Sequence, residues 1–249
     1  MKNIKCLAFD LDDTLTVSKT KANKRIIDVL SNLIRKYNCY FSIISGSKFD
    51  QIYNQILKYF DKELFNNFII FPLLGGELYS YKNGKFVKNK LVVDISKHTF
   101  NKVSKRIRTL ACENDIWCEN PNGVIIEHRG VQITYSALGQ NASYKDKKEW
   151  NAKHSKTKKK LAKQIQKEFP DLSVKLGGIT SIDISDPNIS KEFAIKTLLK
   201  KYKLSKSEVI FFGDNFKKDG NDYPVIKTGV KIKKVKCWQD TYKILSLLL

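Results

Sequence analysis

Several residue types that often stabilise or functionalise small proteins are scarce in this chain of 249 residues. It holds five cysteines, three histidines, five prolines and one methionine. The odd number of cysteines and their irregular spacing match neither a disulfide framework nor a zinc ligand set, so we expect reduced thiols in a cytoplasmic protein. The histidines, His98, His128 and His154, are scattered, which argues against a histidine-based metal site or a Ser/His/Asp triad.

Long apolar runs are missing as well. No stretch of about 18 apolar residues occurs, and we therefore expect no membrane span. The first ten residues, MKNIKCLAFD, lead directly into a strand pattern, which predicts no signal peptide. A composition with 42% hydrophobic and 29% charged residues is typical of a globular protein, and the length suffices for one large domain or two smaller ones.

Arginine is rare although the chain is strongly basic. The formal net charge is +21, but only five of the 46 basic residues are arginine. Phosphate backbones and bases are usually recognised by arginine forks, and here the lysines are spread along the chain rather than gathered in one patch. We interpret the charge as a lysine-rich composition without a nucleic-acid partner, although a positive field would attract anionic substrates.

The chain does contain apolar strands and amphipathic helices that alternate at both of its ends. IKCLAFD, CYFSIISGS and NFIIFPLLGG have the pattern of buried strands, separated by helices near 22–37 and from Phe49 onward. EVIFFGD and GVKIKKVK continue the pattern near the end of the chain. We predict an α/β core with a doubly wound, Rossmann-like parallel sheet, formed by residues 1–79 and 186–249.

The middle of the chain has a different pattern, without regular alternation of strands and helices. Its predicted elements are a hairpin at Asn83-Gly84, helices over 97–113 and 144–169, and strand pairs within 123–138 and 172–186. We predict an inserted α+β domain over residues 80–185. The basic segment 144–169 is interpreted as a helix with a solvated charged face.

Three carboxylates, Asp10, Asp12 and Asp13, stand within four residues at the end of the first predicted strand. Such crowding raises each pKa unless a cation neutralises the charges. Two other predicted strands end near Ser45 and Asp214, and ligands of open α/β sheets bind outside the carboxyl ends of the strands. Carboxylates that converge there would suit Mg²⁺ and phosphoryl transfer, and one of them could act as a nucleophile.

These residues resemble the motifs of a known family. FDLDDTLT resembles motif I of the haloacid dehalogenase-like phosphohydrolases, IISGS motif II, Lys191 motif III, and FFGDNFKKDGNDYPV motif IV. The insertion lies where the C2-type caps of that superfamily lie. The last motif and the strings GVIIEHRGVQITYSALGQ and GGITSIDIS are similar to the IIB branch, which includes phosphomannomutases and sugar-phosphate phosphatases.

The resemblance implies a catalytic role for each matching residue of the core. Asp10 would be the nucleophile and a metal ligand. Asp12 would be the general acid/base and would give its backbone carbonyl to the metal. Ser45, with Ser47 as a fallback, would hydrogen-bond the transferring phosphoryl group. Lys191 would neutralise the nucleophile and the phosphate.

The metal ligands implied by the resemblance are Asp10, Asp12 and Asp214, and the implied metal is Mg²⁺. Asp222 would orient Lys191 or the water shell of the metal. Asp13 occupies a position that is glycine in many members, and we interpret it as a solvent-facing or Asx-turn residue. Asp219 replaces a glycine of the family signature, which leaves its role open.

The resemblance assigns substrate choice to four residues of the insertion, namely Arg129, Gln140, Ser181 and Asp183. Ser181 and Asp183 match positions that hold sugar hydroxyls in phosphomannomutases, although by themselves they have the pattern of a polar strand face. Gln140 and Asn122 stand where phosphomannomutases carry phosphate-binding arginines. A mutase must hold a second, non-reacting phosphate, so these two departures favour hydrolysis.

We therefore interpret the chain as a Mg²⁺-dependent IIB phosphatase that cleaves a small phosphorylated metabolite, expected to be a sugar phosphate, through an aspartyl-phosphate. The alternative is a phosphomannomutase-like phosphotransferase that interconverts mannose 6-phosphate and mannose 1-phosphate. A third interpretation is a nucleic-acid-binding protein on a retired enzyme scaffold. The intact Asp10, Asp12, Lys191 and Asp214 argue against it, since a retired site has no reason to keep all four. The insertion is expected to face the carboxyl ends of the core strands and to act as a lid.

Overall fold

The structure is a computed structural model that describes residues 3–218 and 220–249. Asp219, whose role the sequence leaves open, lies outside the described residues. The chain divides into two compact units. We call Met1–Leu91 with Ile189–Leu249 the core unit, and Val92–Asn188 the inserted unit.

The helices and strands follow the chain in this order. The first part of the core unit contains β1 (Cys6–Phe9), α1 (Lys24–Tyr37), β2 (Tyr40–Ile44), α2 (Phe49–Gln55), β3 (Phe68–Phe71), β4 (Glu77–Lys82) and β5 (Lys85–Lys90). The inserted unit contains α3 (Lys97–Glu113), β6 (Ile126–His128), β7 (Gln132–Ser136), α4 (Tyr144–Glu168), β8 (Ser173–Leu176) and β9 (Ser181–Ser185). The rest of the core unit contains α5 (Lys191–Lys201), β10 (Val209–Gly213), α6 (Tyr223–Ile226), β11 (Lys231–Lys234) and α7 (Trp238–Ser246).

The core unit is built on a seven-stranded sheet with the order β11-β10-β1-β2-β3-β4-β5. Its first five strands are parallel, and β1 lies between β10 and β2 with Cys6 paired to Val209 on one side and to Tyr40 on the other. Every residue of β1 is buried, as expected of a parallel strand that is covered on both faces. The predicted α/β fold class is confirmed.

Helices cover both faces of this sheet because successive residues of each strand point to opposite sides. Leu7 and Phe9 belong to an apolar cluster with α1 and α7, whereas Cys6 and Ala8 belong to a second cluster with α5. In α1, Leu30 is fully buried within the apolar stripe that helical spacing predicts. Truncating such a leucine to alanine typically costs about 2–5 kcal/mol of unfolding free energy.

The hairpin β4–β5 belongs to the core sheet rather than to the insertion. Its turn at Asn83-Gly84 has two positive φ angles, 50° and 77°, as the sequence pattern predicts. However, β4 pairs antiparallel with β3, with Ser80 opposite Ile69, so the hairpin extends the large sheet. The compact inserted unit therefore begins at Val92, whereas the sequence analysis placed its beginning at residue 80.

Two other elements end earlier than the sequence suggests. The apolar stripe after Phe49 predicts a helix through residue 60, but α2 ends at Gln55, and short 3₁₀ turns follow it. The strand β3 stops at Phe71 because Pro72 has no N–H to donate to a ladder. Leu73 and Leu74 then adopt left-handed φ angles, which no strand accommodates.

The inserted unit is an antiparallel sheet with the order β6-β7-β9-β8 and two long helices, α3 and α4. One face of the sheet, with Ile133 and Ile182, packs against both helices, and the opposite face carries polar residues such as Thr134. The outer side of α4 bears a groove lined mostly by lysines, namely Lys156, Lys159, Lys160, Lys163 and Lys167. Among the helices of the described ranges, none has the length and apolar character needed to cross a membrane.

Candidate active site

Polar residues follow three neighbouring parallel strands of the core unit at their carboxyl ends. Asp10 comes directly after β1, Ser45 after β2, and Asp214 after β10. The backbone N–H of Asp10 donates to Phe212 O at 2.9 Å, so this carboxylate is held in line with the sheet beyond the end of its strand. The topology thus brings the three side chains to one edge of the sheet, as ligand sites of open α/β sheets require.

Lys191 is fully buried at the first position of α5. The preceding residue, Ser190, caps the helix by accepting a hydrogen bond from Phe193 N at 3.2 Å. The Nζ atom of Lys191 lies 2.7 Å from Asp10 Oδ1 and 2.7 Å from Asp222 Oδ1. Burial by itself would lower the pKa of Lys191, but the two carboxylates outweigh it and raise that pKa, so the ammonium form is the stable one.

Asp222 is also fully buried, and it is held on both of its oxygens. Its Oδ2 accepts a hydrogen bond from Asn215 N at 2.9 Å, and its backbone N donates to Asn215 O at 3.2 Å. The loop after β10 is thereby folded back so that Asp222 returns to the strand end. Gly213 leaves the necessary room, because a Cβ at that position would lie 2.5 Å from Asp222 Oδ2.

Three carboxylates share this one ammonium. Oxygen atoms of Asp10, Asp214 and Asp222 all lie within 4.8 Å of one another. Burial first, and then the charges of Asp222 and Asp214, raise the pKa of Asp10 to about 8, although Lys191 opposes the shift. Partial burial of its carboxyl, followed by Asp222, likewise raises the pKa of Asp214. The cluster therefore has an excess of negative charge that disfavours the ionised carboxylates.

The chemistry of this cluster fits a magnesium ion. With all three carboxylates ionised, one ammonium leaves two negative charges, which a divalent cation would balance. Carboxylate oxygens are the hard donors that Mg²⁺ prefers. The carboxylates grouped here are Asp10, Asp214 and Asp222, whereas the sequence assigned the metal to Asp10, Asp12 and Asp214.

The side chain of Asp12 lies in a different environment. Its Oδ1 accepts hydrogen bonds from the backbone N of Lys19 at 2.8 Å and from Gln55 Nε2 at 2.9 Å. The carboxylate therefore makes contacts in the loop after β1, while its predicted contribution to the metal, a backbone carbonyl, stays a prediction. Asp13 has a φ of 58°, the left-handed region, which gives a physical reason why glycine suits this position.

Ser45 is buried, and among the described residues its hydroxyl accepts one hydrogen bond and donates none. Its Oγ accepts a hydrogen bond from Ser47 N at 3.2 Å, so the hydroxyl itself can donate to another group. The backbone of Ser45 is fixed on both sides, since its N donates to Phe71 O at 3.1 Å and its O accepts from Leu74 N at 2.9 Å. The role predicted for Ser45, donation to a phosphoryl oxygen, suits this arrangement and stays a prediction.

In the inserted unit, a row of polar side chains crosses all four strands of the sheet. Glu127 of β6 pairs with Thr134 of β7, Thr134 with Asp183 of β9, and Asp183 with Lys175 of β8. The hydroxyl of Thr134 donates to Asp183 Oδ1 at 2.8 Å. Ser181 lies two residues before Asp183 and so on the same face of β9. The two residues predicted to bind sugar hydroxyls are therefore neighbours on one polar sheet face.

Arg129 and Gln140 converge on Glu127, a residue that the sequence analysis did not single out. Arg129 Nε lies 2.5 Å from Glu127 Oε2, and Gln140 Nε2 donates to the same oxygen. Lys147 Nζ donates to the backbone carbonyl of Gln140 at 2.9 Å. The opposite charges of Glu127 in β6 and of Arg129, which follows the end of that strand by one residue, are the signal that could have indicated their contact.

Lys158 is a second buried lysine, and it was also missed. It lies on the buried stripe of α4 with Leu161 and Ile165, at positions i+3 and i+7 from it, which is the signal that could have found it. Its Nζ donates to Ile179 O at 2.7 Å and to Gly178 O at 3.3 Å. Burial, followed by the charge of Lys159, lowers the pKa of Lys158 to about 8.

Comparisons with known proteins extend this picture. A sequence profile of the haloacid dehalogenase-like hydrolases matches residues 7–229. A phosphomannomutase from Saccharomyces cerevisiae is 27% identical over 249 residues, covering 96% of this chain and 92% of that protein. A phosphomannomutase from Babesia bovis is 31% identical over 231 residues, covering 88% of this chain and 87% of that protein.

The fold is also found in a solved structure. An IMP-bound IMP-nucleotidase from Plasmodium falciparum superposes with a TM-score of 0.70 at 16% identity, over 100% of this chain and 69% of that one. At this identity the likeness concerns the fold alone. The profile and the relatives confirm the resemblance that the motifs indicate, and the names of the relatives favour the phosphotransferase alternative over the phosphatase.

Proposed function

The chain belongs to the haloacid dehalogenase-like hydrolase family. On that premise we propose that it is a Mg²⁺-dependent phosphotransferase of the phosphomannomutase kind, which moves the phosphoryl group of a phosphorylated sugar through an aspartyl-phosphate. One observation carries the proposal, namely the fully buried Lys191, whose Nζ lies 2.7 Å from both Asp10 and Asp222. A buried ammonium held by two carboxylates favours the ionised form of Asp10 and adds positive charge beside the attacking group.

The contacts of Asp10 indicate which of its oxygens attacks. Its Oδ1 accepts hydrogen bonds from Leu11 N at 2.7 Å and from Lys191 Nζ at 2.7 Å. Within the described part of the chain both contacts fall on Oδ1, so Oδ2 would attack the phosphorus. The bond from phosphorus to the sugar oxygen breaks, and that oxygen takes a proton from Asp12 as it leaves.

The second half of the reaction reverses these steps at another position of the sugar. A hydroxyl of a sugar that still carries its other, non-reacting phosphate attacks the phosphorus of the aspartyl-phosphate, which forms a sugar bisphosphate, and it gives its proton to Asp12, which restores the acid form. The bond between phosphorus and Asp10 Oδ2 breaks, and the carboxylate is regenerated. Ser45 would donate its hydroxyl hydrogen to a phosphoryl oxygen in both halves and so hold the group in line.

The metal has a defined place in this proposal. Asp10, Asp214 and Asp222 are the residues whose oxygens lie close enough together to hold or surround it. When bound, Mg²⁺ supplies positive charge to the phosphoryl oxygens in the transition state. Lys191 supports the same charge from the buried side of the cluster, where its two carboxylate partners fix its position.

A mannose phosphate is the substrate that we propose, because the relatives described above carry the name phosphomannomutase. The contacts predicted for Arg129, Ser181 and Asp183 with the substrate are part of the same proposal. Ser181 and Asp183 lie on one polar face of the inserted sheet, which is suitable for binding sugar hydroxyls.

Hydrolysis of a sugar monophosphate is the second candidate, and the environment of Gln140 favours it. A mutase must hold a non-reacting phosphate, for which arginine forks are suited. Here Gln140 occupies one such position and donates to Glu127, and Arg129 is already paired with the same carboxylate. With these groups engaged, the inserted unit has less positive charge free for a second phosphate, and water would replace the sugar hydroxyl in the second step.

A single assay separates the two candidates. The protein would be incubated with Mg²⁺ and mannose 6-phosphate, with and without a hexose 1,6-bisphosphate as activator, while mannose 1-phosphate and free phosphate are both quantified. Interconversion that exceeds phosphate release supports the phosphotransferase, and the opposite ratio supports the phosphatase. Asp10→Asn should abolish both products, whereas Asp28→Asn, which removes a carboxylate of the exposed pair with Lys24, is the matched control. Activity that survives Asp10→Asn would contradict both candidates.

A further inference from the structure

A buried amide lies beside the residue that the proposed function uses as its general acid/base. Gln55 is the last residue of α2 and is only 5% exposed. Its Nε2 donates to Asp12 Oδ1 at 2.9 Å and to Thr16 Oγ1 at 2.6 Å. Both N–H groups of the amide are therefore used, and both partners belong to the loop that follows β1.

The acceptor side of the same amide is in a different situation. Among the described residues, Gln55 Oε1 has no hydrogen-bond partner although it is buried. A buried amide oxygen without a partner lowers stability, and buried amides usually have both ends satisfied. The side chain is thus placed to donate to Asp12 and Thr16, at the expense of its own oxygen.

The donated hydrogen bond defines which oxygen of Asp12 is available. Asp12 Oδ1 accepts from Gln55 Nε2 and also from Lys19 N at 2.8 Å, so this oxygen is engaged twice. A proton can then be exchanged with a substrate oxygen only at Oδ2. Proton transfer in catalysis requires such a fixed orientation, since the acid must lie within hydrogen-bond reach of the leaving oxygen.

The backbone of Gln55 makes the contact rigid. Its carbonyl accepts a hydrogen bond from Ala22 N at 2.8 Å, so the end of α2 is joined to the far end of the same loop. The next residue, Ile56, leaves helical geometry with a φ of −144°, and the helix ends there. The loop that carries Asp12 is consequently fixed to α2 both by the side chain and by the backbone of one residue.

We propose that Gln55 is a positioning residue, which holds the carboxylate of Asp12 so that Oδ2 exchanges the proton with the leaving and attacking oxygens. This inference rests on the proposed function, in which Asp12 is the general acid/base. The proposal also gives a reason why α2 ends at Gln55. In a longer helix the carbonyl of Gln55 would accept a hydrogen bond within the helix, and it would no longer accept the one from Ala22 N in the loop that the side-chain amide also contacts.

The test compares two substrates that differ in their need for a proton. In single-turnover experiments with Mg²⁺, release of the alcohol from mannose 6-phosphate requires protonation by Asp12, whereas release of p-nitrophenol, a weakly basic leaving group, does not. Gln55→Met keeps the length of the side chain and removes the donor. We expect it to slow release from mannose 6-phosphate at least about tenfold more than release of p-nitrophenol, a difference within the range of general acid catalysis.

Two further variants keep the experiment interpretable. Gln51→Met changes an amide one turn earlier on α2 and should alter neither rate. Gln55→Glu keeps the shape of the side chain but places a carboxylate against Asp12, and it should show a larger difference between substrates than Gln55→Met. Equal slowing of both substrates in the Gln55 variants, or no slowing, would overturn the positioning role.

A measurement without catalysis tests the contact itself. Thermal unfolding midpoints of Asp12→Asn, Gln55→Met and the double variant should be non-additive, because either single change already removes the same hydrogen bond. Additive shifts would overturn the inference. A wild-type protein that cleaves neither substrate would overturn the proposed function instead, so the two failures are distinguishable.

Discussion

Among the residues that the structure describes, the core unit and the inserted unit each bury one lysine, and the two lysines have different electrostatic surroundings. Lys191 of the core unit is 0% exposed and contacts two carboxylates, those of Asp10 and Asp222. Lys158 of the inserted unit is 6% exposed and contacts two backbone carbonyls, those of Gly178 and Ile179. Both ammonium groups lose their water, but two carboxylates contact Lys191, whereas the charge of Asp183 offsets the burial of Lys158 only in part.

This difference separates a lysine whose charge is maintained by contacting carboxylates from a lysine whose charge is disfavoured by burial. Two carboxylates more than offset the desolvation of Lys191, so its pKa is raised and the charge persists. The charge of Asp183 and the two carbonyl dipoles do not offset the desolvation of Lys158, and its pKa falls to about 8. A lysine of the second kind can still donate hydrogen bonds and fix the loop that precedes β9.

The largest expected effect concerns metal removal, because the three carboxylates of the core cluster carry more negative charge than the one ammonium beside them balances. Excess EDTA should abolish activity, and Mg²⁺ should restore it. Mg²⁺ should also slow amide hydrogen exchange in the loop from Asp214 to Asp222, while leaving exchange around Gly178 and Ile179 unchanged. Full activity in excess chelator, or equal slowing of amide exchange in both loops on addition of Mg²⁺, would show that no metal ion balances the excess negative charge of the core cluster.

The two lysines themselves provide the next test. Lys191→Met should reduce turnover of p-nitrophenyl phosphate by at least about 10³-fold, because it removes a charge that stabilises the transition state and leaves buried carboxylates unpaired. Lys158→Met should keep this turnover within about threefold, since it alters a loop of the inserted unit and no group of the core cluster. Circular dichroism would confirm that both variants are folded. Similar losses in both variants would remove the distinction between the lysines.

Two glycines allow a finer comparison, because each lies against an aspartate of its own unit. A Cβ at Gly213 would lie 2.5 Å from Asp222 Oδ2, and a Cβ at Gly177 would lie 2.5 Å from Asp183 Oδ2. Gly213→Ala should displace the partner of Lys191 and lower kcat by about 10–100-fold, as small misplacements of catalytic groups do. Gly177→Ala should raise KM for the sugar phosphate and leave turnover of p-nitrophenyl phosphate unchanged.

Gly178→Ala is the matched control for this pair, since the nearest atom to a Cβ there is Ser181 Oγ at 3.9 Å, an ordinary contact distance. It should behave as the wild type in both assays. A lower kcat in Gly177→Ala would indicate that the inserted unit contributes to the chemical step. If Gly213→Ala changed only KM, Asp222 would have no part in the chemical step.

The sequence was sufficient for the core fold because local patterns decide it. The run CLAF is apolar at every position, and β1 is buried on both faces as that pattern predicts. The sequence also shows the hairpin at Asn83-Gly84, but not the sheet that it joins. The hairpin joins the core sheet through the pairing of Ile69 in β3 with Ser80 in β4, a contact between strands that no local pattern specifies. The boundary of the inserted unit was therefore placed too early.

The candidate site shows the same limit. The resemblance to the family motifs implied roles for Asp10, Lys191 and Asp222, whose contacts the structure describes. It did not indicate that Asp222, rather than the side chain of Asp12, joins the carboxylate cluster, because a loop that folds back by hydrogen bonding brings Asp222 there. Gln55 was unnoticed for a similar reason, since its partner is 43 residues away and its position fits an ordinary amphipathic helix.

The smallest expected effect is the dependence of stability on pH that Lys158 contributes. Because its pKa is lowered from 10.5 to about 8 in the folded state, the unfolded chain binds more protons between these pH values. The free energy of unfolding should therefore rise with pH in that window, by at most about 3 kcal/mol from this group. Below pH 8 the lysine is charged in both states, and the folded protein bears the full cost of burying that charge.

Lys158→Met isolates this contribution, because every other titrating group cancels when the variant is compared with the wild type. Chemical denaturation between pH 7.5 and about 10.5 should show a rising difference in unfolding free energy that favours the wild type as pH increases. A difference that stays flat would mean that two carbonyl dipoles and the charge of Asp183 keep Lys158 charged as effectively as two carboxylates keep Lys191. The contrast between the two units would then lie in the excess negative charge of the core cluster alone, and not in how each unit neutralises its buried lysine.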